Sequence, residues 1–390
     1  MEKCGGVDYV VHTPLSRQRI PRQRSRQTQQ DGEEKGSSDA KAQQRSPVAP
    51  RCREGPSRNR AVAVGEGGRD DPCPRHADSQ PQLTQQQPCD RSWLLDNAKD
   101  TTGILVMLSD NVDHELLDAA GVRLKVIASF SVGTDHVDRN ALKARGIRLG
   151  YTPTCLTDAV ADLTIMLTLM AQRRGGESMA KVGKGAWPQM PWHPLLLTGP
   201  QIRGATVGFL GFGRIAQATL KRMMAFDIQR AIYLTSTPGQ PAKHDYFGFV
   251  EQAPIPVEPA QSADQLARES DIVIVGCALT PETKHLISND FFAKMKKLAV
   301  IVNIARGPII DTDALVRALD DGTIFGAGLD VIENEPNITA DHPILRQPRC
   351  VLVPHIGSAT IETREQMAME SVKNLLAGME GEKMVNELEL

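Results

Sequence analysis

The sequence predicts an α/β protein built on a Rossmann-type, doubly wound parallel sheet with a smaller β/α unit attached. Three observations predict it. A strand, glycine turn and helix pattern occupies residues 204–226, five more short apolar runs follow it at regular intervals, and a shorter strand and helix alternation precedes it between Trp93 and Gly150.

The first of these is the centre of the chain. A β-type run over residues 206–210 feeds into Gly211-x-Gly213, and Ala216, Leu220 and Met224 then fall on one face of a helix. Gly211 permits the tight turn, and Gly213 has no Cβ to hold a pyrophosphate off the backbone. Ala216 takes the third small position, where helix and strand pack closely. The N–H groups of the helix beginning near Arg214 then face an anion. The runs 231–235, 271–275, 299–303, 327–330 and 350–353 supply five further strands, six in all.

The 390 residues are enough for two domains, and a net charge of −2 gives nucleic acid or an anionic membrane no general attraction. No apolar run spans a bilayer and no basic-then-apolar leader opens the chain, so a soluble, cytoplasmic protein is expected. Cys155, Cys277 and Cys350 lie in apolar settings, as reduced core cysteines do. No metal site is expected.

Residues 1–92 read as a disordered, low-complexity tail, rich in Gln, Arg, Ser, Pro and Gly with Tyr9 as its one aromatic before Trp93. The cluster Arg17, Arg19, Arg22, Arg24 and Arg26 reads either as a nucleic-acid or targeting patch or, with acidic residues further along offsetting its charge, as part of that solvated tail, the reading favoured here. Pattern begins near Trp93: the end of a helix over 94–98, strands over 103–108, 124–129 and 148–150, a helix over 113–120, and another ending at Arg145. Residues 158–170, apolar almost all round, read as a buried helix joining the two units. Trp187, Pro188, Pro191, Trp192 and Pro194 make a rigid aromatic loop, and 362–379 is helical again, crossing back over the smaller unit. The expected domains are 93–157 with 358–390, and 158–357.

Three residues stand at or just beyond predicted strand ends, where open parallel sheets bind ligands: Arg306, Glu335 and His355. These types suit hydride transfer to a 2-oxo acid. A carboxylate wants the planar bidentate donor that arginine supplies. A carbonyl oxygen gaining charge needs a proton, which histidine can hold near neutral pH. A carboxylate beside such a histidine fixes the ring and favours its charged form. His114, His136, His244, His285 and His342 lack this setting and are expected on the surface.

From about Trp93 onward the chain resembles the D-isomer-specific 2-hydroxyacid dehydrogenases, especially the glyoxylate/hydroxypyruvate reductases. The motifs that carry the resemblance are Ser131-Val132-Gly133-Thr134-Asp135-His136-Val137-Asp138, Gly146-Ile147-Arg148-Leu149-Gly150-Tyr151-Thr152-Pro153, Gly208-Phe209-Leu210-Gly211-Phe212-Gly213-Arg214-Ile215, Asn303-Ile304-Ala305-Arg306-Gly307 and Pro354-His355-Ile356-Gly357-Ser358-Ala359-Thr360. The resemblance implies a flavodoxin-like substrate domain beside the Rossmann domain, and a homodimer. It implies that Arg306 binds the substrate carboxylate with the backbone of Val132 and Gly133, that Glu335 pairs with His355, and that His355 donates the proton. Ser358 would border the substrate, and Trp192, rather than Trp187, would close a partner's pocket. Gly213, Arg214 and Ile215 would meet the pyrophosphate, Ala278, Ile304 and Gly357 would line the cofactor cleft, and Asp330 would lie by the nicotinamide.

Cofactor choice is read at the second strand of the large sheet, which ends in Thr235, Ser236 and Thr237 with no acid to hold ribose hydroxyls. That favours NADP(H), with NAD(H) possible and Lys243 as a candidate cation for a 2′-phosphate. Relatives begin with a strand, helix and strand that residues 1–92 do not supply, so the substrate domain is expected to be N-terminally truncated, with an unpaired edge. Two alternatives stand beside the enzyme: a non-catalytic NAD(H)-sensing scaffold like the corepressors that share this fold, and a defective product lacking that first portion.

Overall fold

The computed structural model describes residues 90–390. The tail expected over 1–92 falls outside them up to residue 89, but its last residues do not belong to a tail. Asp90 caps α1 (Arg91–Asn97), its carboxylate accepting from the N–H of Trp93 at 2.8 Å.

The small lobe continues through β1 (Gly103–Val106), α2 (His114–Ala120), β2 (Val126–Ser129), α3 (Arg139–Arg145) and β3 (Arg148–Gly150). Asp113 and Asp138 cap α2 and α3 in the same way as Asp90. All of β1 and β2 is buried, as parallel strands covered on both faces are. Next come α4 (Thr157–Gln172) and α5 (Gly175–Gly183).

The large lobe begins with β4 (Thr206–Leu210), α6 (Arg214–Met224), β5 (Arg230–Leu234), β6 (Val257–Pro259), α7 (Ala263–Glu269) and β7 (Ile272–Val275). It ends with α8 (Asn289–Phe292), β8 (Val300–Asn303), α9 (Thr312–Asp320), β9 (Gly326–Leu329) and β10 (Cys350–Leu352). The chain then returns through α10 (Ile361–Glu380), packed on β1, β2 and β3, to β11 (Glu387–Leu388).

The large sheet has the order β10-β9-β8-β7-β4-β5-β6, all parallel, with its direction of winding reversing at β4. It holds seven strands rather than the expected six. The addition, β6, is three residues long, half-exposed and ends in Pro259, so it carries almost no apolar pattern to read. The small sheet has the order β1-β2-β3-β11, in which β11 runs antiparallel to β3 and closes that edge. Two residues are too few to leave a strand pattern in the sequence.

The helix read over 158–170 as apolar all round is two-sided. Ala161, Thr164, Leu167 and Thr168 are buried, while Asp158 and Asp162 face out and both bind Arg222 of α6. The buried threonines return their hydroxyls to the carbonyls of Val160 and Thr164, which is why polar residues sit on this face without cost. One apolar cluster, including Val126, Val160, Leu167, Val207, Phe209 and Leu375, runs through both lobes and fixes the cleft between them.

Candidate active site

At the head of α6, Gly211 turns at φ +90° and passes so close to the β7 loop that a Cβ there would stand 2.6 Å from the backbone N of Cys277. Gly213 caps α6 with extended backbone and no side-chain cap, and a Cβ on it would meet nothing within 4 Å. The first N–H groups of α6 therefore open onto free space, which suits a phosphate. Arg214 holds its guanidinium 4.5 Å above the Tyr246 ring, and Ile215 packs into the core.

Beyond β5, the Oγ1 of Thr235 accepts from the N–H of Thr237 at 3.3 Å, and Ser236 and Thr237 are exposed. Ala278 is exposed just past β7, Ile304 is buried just past β8, and Lys243 is exposed in the β5–β6 loop. Neutral hydroxyls thus stand at the end of β5, where no carboxylate would repel a 2′-phosphate.

The three candidate chemical groups leave the C-terminal ends of adjacent strands: Arg306 after β8, Glu335 after β9 and His355 after β10. The backbone joins these ends, Asp330 N–H donating to Asn303 at 2.9 Å and His355 N–H to Asp330 at 2.9 Å. Glu335 Oε1 lies 2.9 Å from Nδ1 of His355, and its Oε2 accepts from the N–H of Ile332 at 3.1 Å. That leaves Nε2 of His355 with no hydrogen bond among the described residues. His355 itself turns at φ +53°.

Arg306 is aimed from below. Asn303 accepts from the N–H of Ala305 at 3.0 Å and donates to the carbonyl of Arg306 at 2.9 Å, closing the turn that presents the side chain. The guanidinium then crosses to the small lobe, where Nε donates to Asp135 at 2.8 Å. Its Nη2 occupies the space a Cβ on Gly133 would need, so this loop must carry glycine to let the guanidinium reach the backbone. The N–H groups of Val132, Gly133 and Thr134 find no acceptor among the described residues. Guanidinium and free amides together make an anion-binding wall.

Asp330, just past β9, is buried at 2% exposure, its two oxygens accepting from the N–H groups of Ile356 at 2.7 Å and Gly357 at 2.9 Å. Burial pushes its carboxyl above the usual carboxylate range, against the pull of those two donors. Ser358 is half-buried directly after Gly357.

Trp192 stands apart from this cluster, 92% exposed on the loop after α5. Of the histidines expected on the surface, His114, His244 and His285 are there, but His136 is half-buried with its Nδ1 sealed from solvent, and His342 is half-buried as the cap of a 3-10 turn. His136 follows an apolar strand by a tight loop, which turns its ring back under β2 rather than outward. Asp135, Asn303 and Asp330 are polar groups that organise the site. In the sequence, Asp135 belongs to the 131–138 motif and Asn303 to the 303–307 motif, but no local pattern gives either a role. Burial pushes the thiols of Cys155 and Cys277 up to about 11 and that of Cys350 up to about 12, so none is a nucleophile at neutral pH.

The family profile described as D-isomer specific 2-hydroxyacid dehydrogenase, NAD binding domain, matches residues 165–357. The glyoxylate reductase/hydroxypyruvate reductase of Mus musculus is 44% identical over 309 residues, 79% of this chain and 90% of that one. The glyoxylate reductase of Thermofilum pendens is 43% identical over 295 residues, 76% of this chain and 83% of that one. Among solved structures, an NADPH-dependent glyoxylate/hydroxypyruvate reductase of Sinorhizobium meliloti, in complex with NADP and malonate, superposes with a TM-score of 0.63 at 34% identity, covering 74% of this chain and 84% of that one. A D-lactate dehydrogenase of Aquifex aeolicus complexed with NAD and lactic acid gives a TM-score of 0.65 at 27% identity, covering 75% and 88%.

Proposed function

The chain belongs to the D-isomer-specific 2-hydroxyacid dehydrogenase family, and from that premise we propose that it reduces glyoxylate or hydroxypyruvate to the corresponding D-2-hydroxy acid, with NADP(H) preferred over NAD(H). The observation that carries this reading is the placement of Arg306, against the Gly133 backbone, on the same sheet edge as the Glu335–His355 pair.

Each residue then has a task. Arg306 and the amides of Val132 and Gly133 hold the substrate carboxylate, which orients the neighbouring carbonyl. Glu335 receives Nδ1–H of His355 and so fixes the ring, leaving Nε2 to hold the proton that the carbonyl oxygen takes up. A bound reduced nicotinamide would supply the hydride for the carbonyl carbon. Gly213, Arg214 and Ile215 would hold its pyrophosphate at the head of α6. Ala278 and Ile304 would line the cofactor cleft, Asp330 and Gly357 would lie by the nicotinamide, and Ser358 would border the substrate. The hydroxyls of Thr235, Ser236 and Thr237 leave room for a 2′-phosphate, which is the basis for the NADP(H) preference.

The enzyme works as a homodimer in the cytoplasm. Trp192 lies open in one subunit and needs a partner to border, and the three cysteines among the described residues are unpaired thiols, as a reducing compartment maintains. The domains divide at 157/158 and 357/358, with α1 and its cap Asp90 in the substrate domain, so that domain opens slightly before the expected residue 93.

Steady-state reduction of both 2-oxo acids with NADPH and NADH tests the reading, with the configuration of the glycerate from hydroxypyruvate as its second readout. D-glycerate and a higher kcat/KM with NADPH are expected. L-glycerate, or no turnover with either dinucleotide, would overturn it.

A further inference from the structure

Behind the anion-binding wall lies a chain of hydrogen bonds with only one possible direction. Ser131 Oγ is 2.6 Å from the carbonyl oxygen of Gly133, and a carbonyl can only accept, so the hydroxyl donates. Having spent its proton there, Ser131 accepts from Ser129, whose Oγ is 2.7 Å away. Ser129 has then spent its own proton and accepts from Nε2 of His136 at 3.2 Å. His136 is thereby fixed as the Nε2–H tautomer. Its Nδ1, sealed and without a partner, carries no proton. Burial holds the imidazole below its ordinary pKa; of the charges around it, Asp135 and Asp110 oppose this and Arg306 adds to it. Both serines are buried, at 0% and 3% exposure.

We infer that His136, Ser129 and Ser131 are positioning residues for the substrate carboxylate: they pull the Gly133 carbonyl into the small lobe, and so turn the Thr134 N–H of the same peptide the opposite way, toward the anion, as a third donor beside the amides of Val132 and Gly133. A trans peptide fixes the two groups on opposite sides, so an anchored carbonyl aims the amide. The main-chain bond from Thr152 N–H to the Ser131 carbonyl, at 2.9 Å, anchors the other end of the same loop. The inference rests on the proposed carboxylate site and adds the device that sets its shape.

Three measurements on the full chain test it. Histidine ring NMR of the parent should show His136 as the Nε2–H tautomer; a ring protonated at Nδ1 overturns the inference whatever the enzyme turns over. His136→Leu, which removes the donor, should raise the KM for glyoxylate and the Kd for oxalate, measured on the cofactor-saturated protein, about tenfold, as loss of one aligned amide implies, with kcat and cofactor Kd little changed. His136→Gln, which keeps a donor at the same reach, should restore both. Should His136→Leu not fold, Ser131→Ala is read in the same way. Unchanged oxalate binding in the donor-less variant, or a His136→Gln as impaired as His136→Leu, overturns the inference. A parent that reduces no 2-oxo acid fails the functional reading instead, and oxalate binding still decides this one.

Discussion

Oε1 of Glu335 stands 2.9 Å from Nδ1 of His355, while Oε2 of the same carboxylate accepts from the Ile332 N–H. The carboxylate is thus held at one end by backbone and holds the ring at the other. His355→Ala should lower kcat about 10²- to 10⁴-fold, the range for losing a positioned proton donor, and leave the dinucleotide Kd unchanged. Glu335→Gln should cost less, about 10- to 100-fold, because it weakens one charged hydrogen bond and leaves the imidazole in place. Stopped-flow single turnovers separate the two variants. Normal turnover by His355→Ala would end its role as proton donor.

Arg306 predicts a different kinetic signature. Its guanidinium bonds Asp135 through Nε and lies against Gly133 through Nη2, so it joins the two lobes where the substrate carboxylate is proposed to bind. Arg306→Ala should raise KM about 100-fold, the loss of charge-assisted bonds worth about 3 kcal/mol, with a smaller fall in kcat. Arg306→Lys should recover little of this, since a point charge cannot serve Asp135 and a carboxylate together. Recovery of wild-type KM by the lysine variant would refute the bidentate arrangement.

The sites that were legible in the sequence were those whose chemistry is local. Gly211, Gly213 and Ala216 announce a dinucleotide turn because each answers a steric need within a few residues. Arg306 and His355 were visible as strand-end residues, yet the Asp135 partner of Arg306 was not. That bond joins two lobes across 171 positions of chain, and nothing in local pattern reports it. His136 departs from its expected place on the surface for the same reason, since burial of one ring nitrogen depends on how the 131–136 loop folds under β2. Strands β6 and β11 escaped because three and two residues are too short for periodicity.

The two glycines of the α6 turn should separate folding from binding. Gly211→Ala must accept φ +90° and drive a methyl into the Cys277 and Gly276 backbone, so it should cost stability by about 1–3 kcal/mol or more. Gly213→Ala meets open space at φ −80° and should keep the parent Tm while weakening dinucleotide binding about tenfold or more, because the methyl would stand where the pyrophosphate is proposed to bind. Thermal melts beside fluorescence titration with NADPH check both. A Gly213→Ala that binds as the parent does would place the pyrophosphate elsewhere.

The C-terminal strand carries a pH-dependent clasp. Arg148 reaches Glu387 with two bonds, of 2.8 and 2.6 Å, and so holds the Glu387 carboxyl below the usual carboxylate range. A depressed carboxylate stabilises the fold above its unfolded pKa, about 4.3, and loses that contribution as pH falls through the lower folded value. The pair is partly solvated, so Glu387→Gln should cost no more than about 1 kcal/mol at pH 7. Denaturant unfolding of both proteins at stepwise lower pH should show the gap closing. A gap that widens on acidification would reverse the sign and refute the clasp.

Helix α5 and the loop after it predict the quaternary structure. Met179, Val182, Trp187, Trp192 and Leu195 are all exposed, Trp192 at 92% and Leu195 at 75%. Apolar residues gathered in this way mark an interface, and a stable one buries more than about 1,000 Å² in total. A second copy is the proposed occupant, because Trp192 lies open in its own subunit and is assigned to the partner's substrate pocket. Light scattering should give the parent twice the chain mass. Trp192→Asp with Leu195→Asp, which replaces its two most exposed apolar side chains by charges, should halve it and raise the glyoxylate KM. A parent that runs as a monomer, yet turns over at full rate, would remove Trp192 from the pocket altogether.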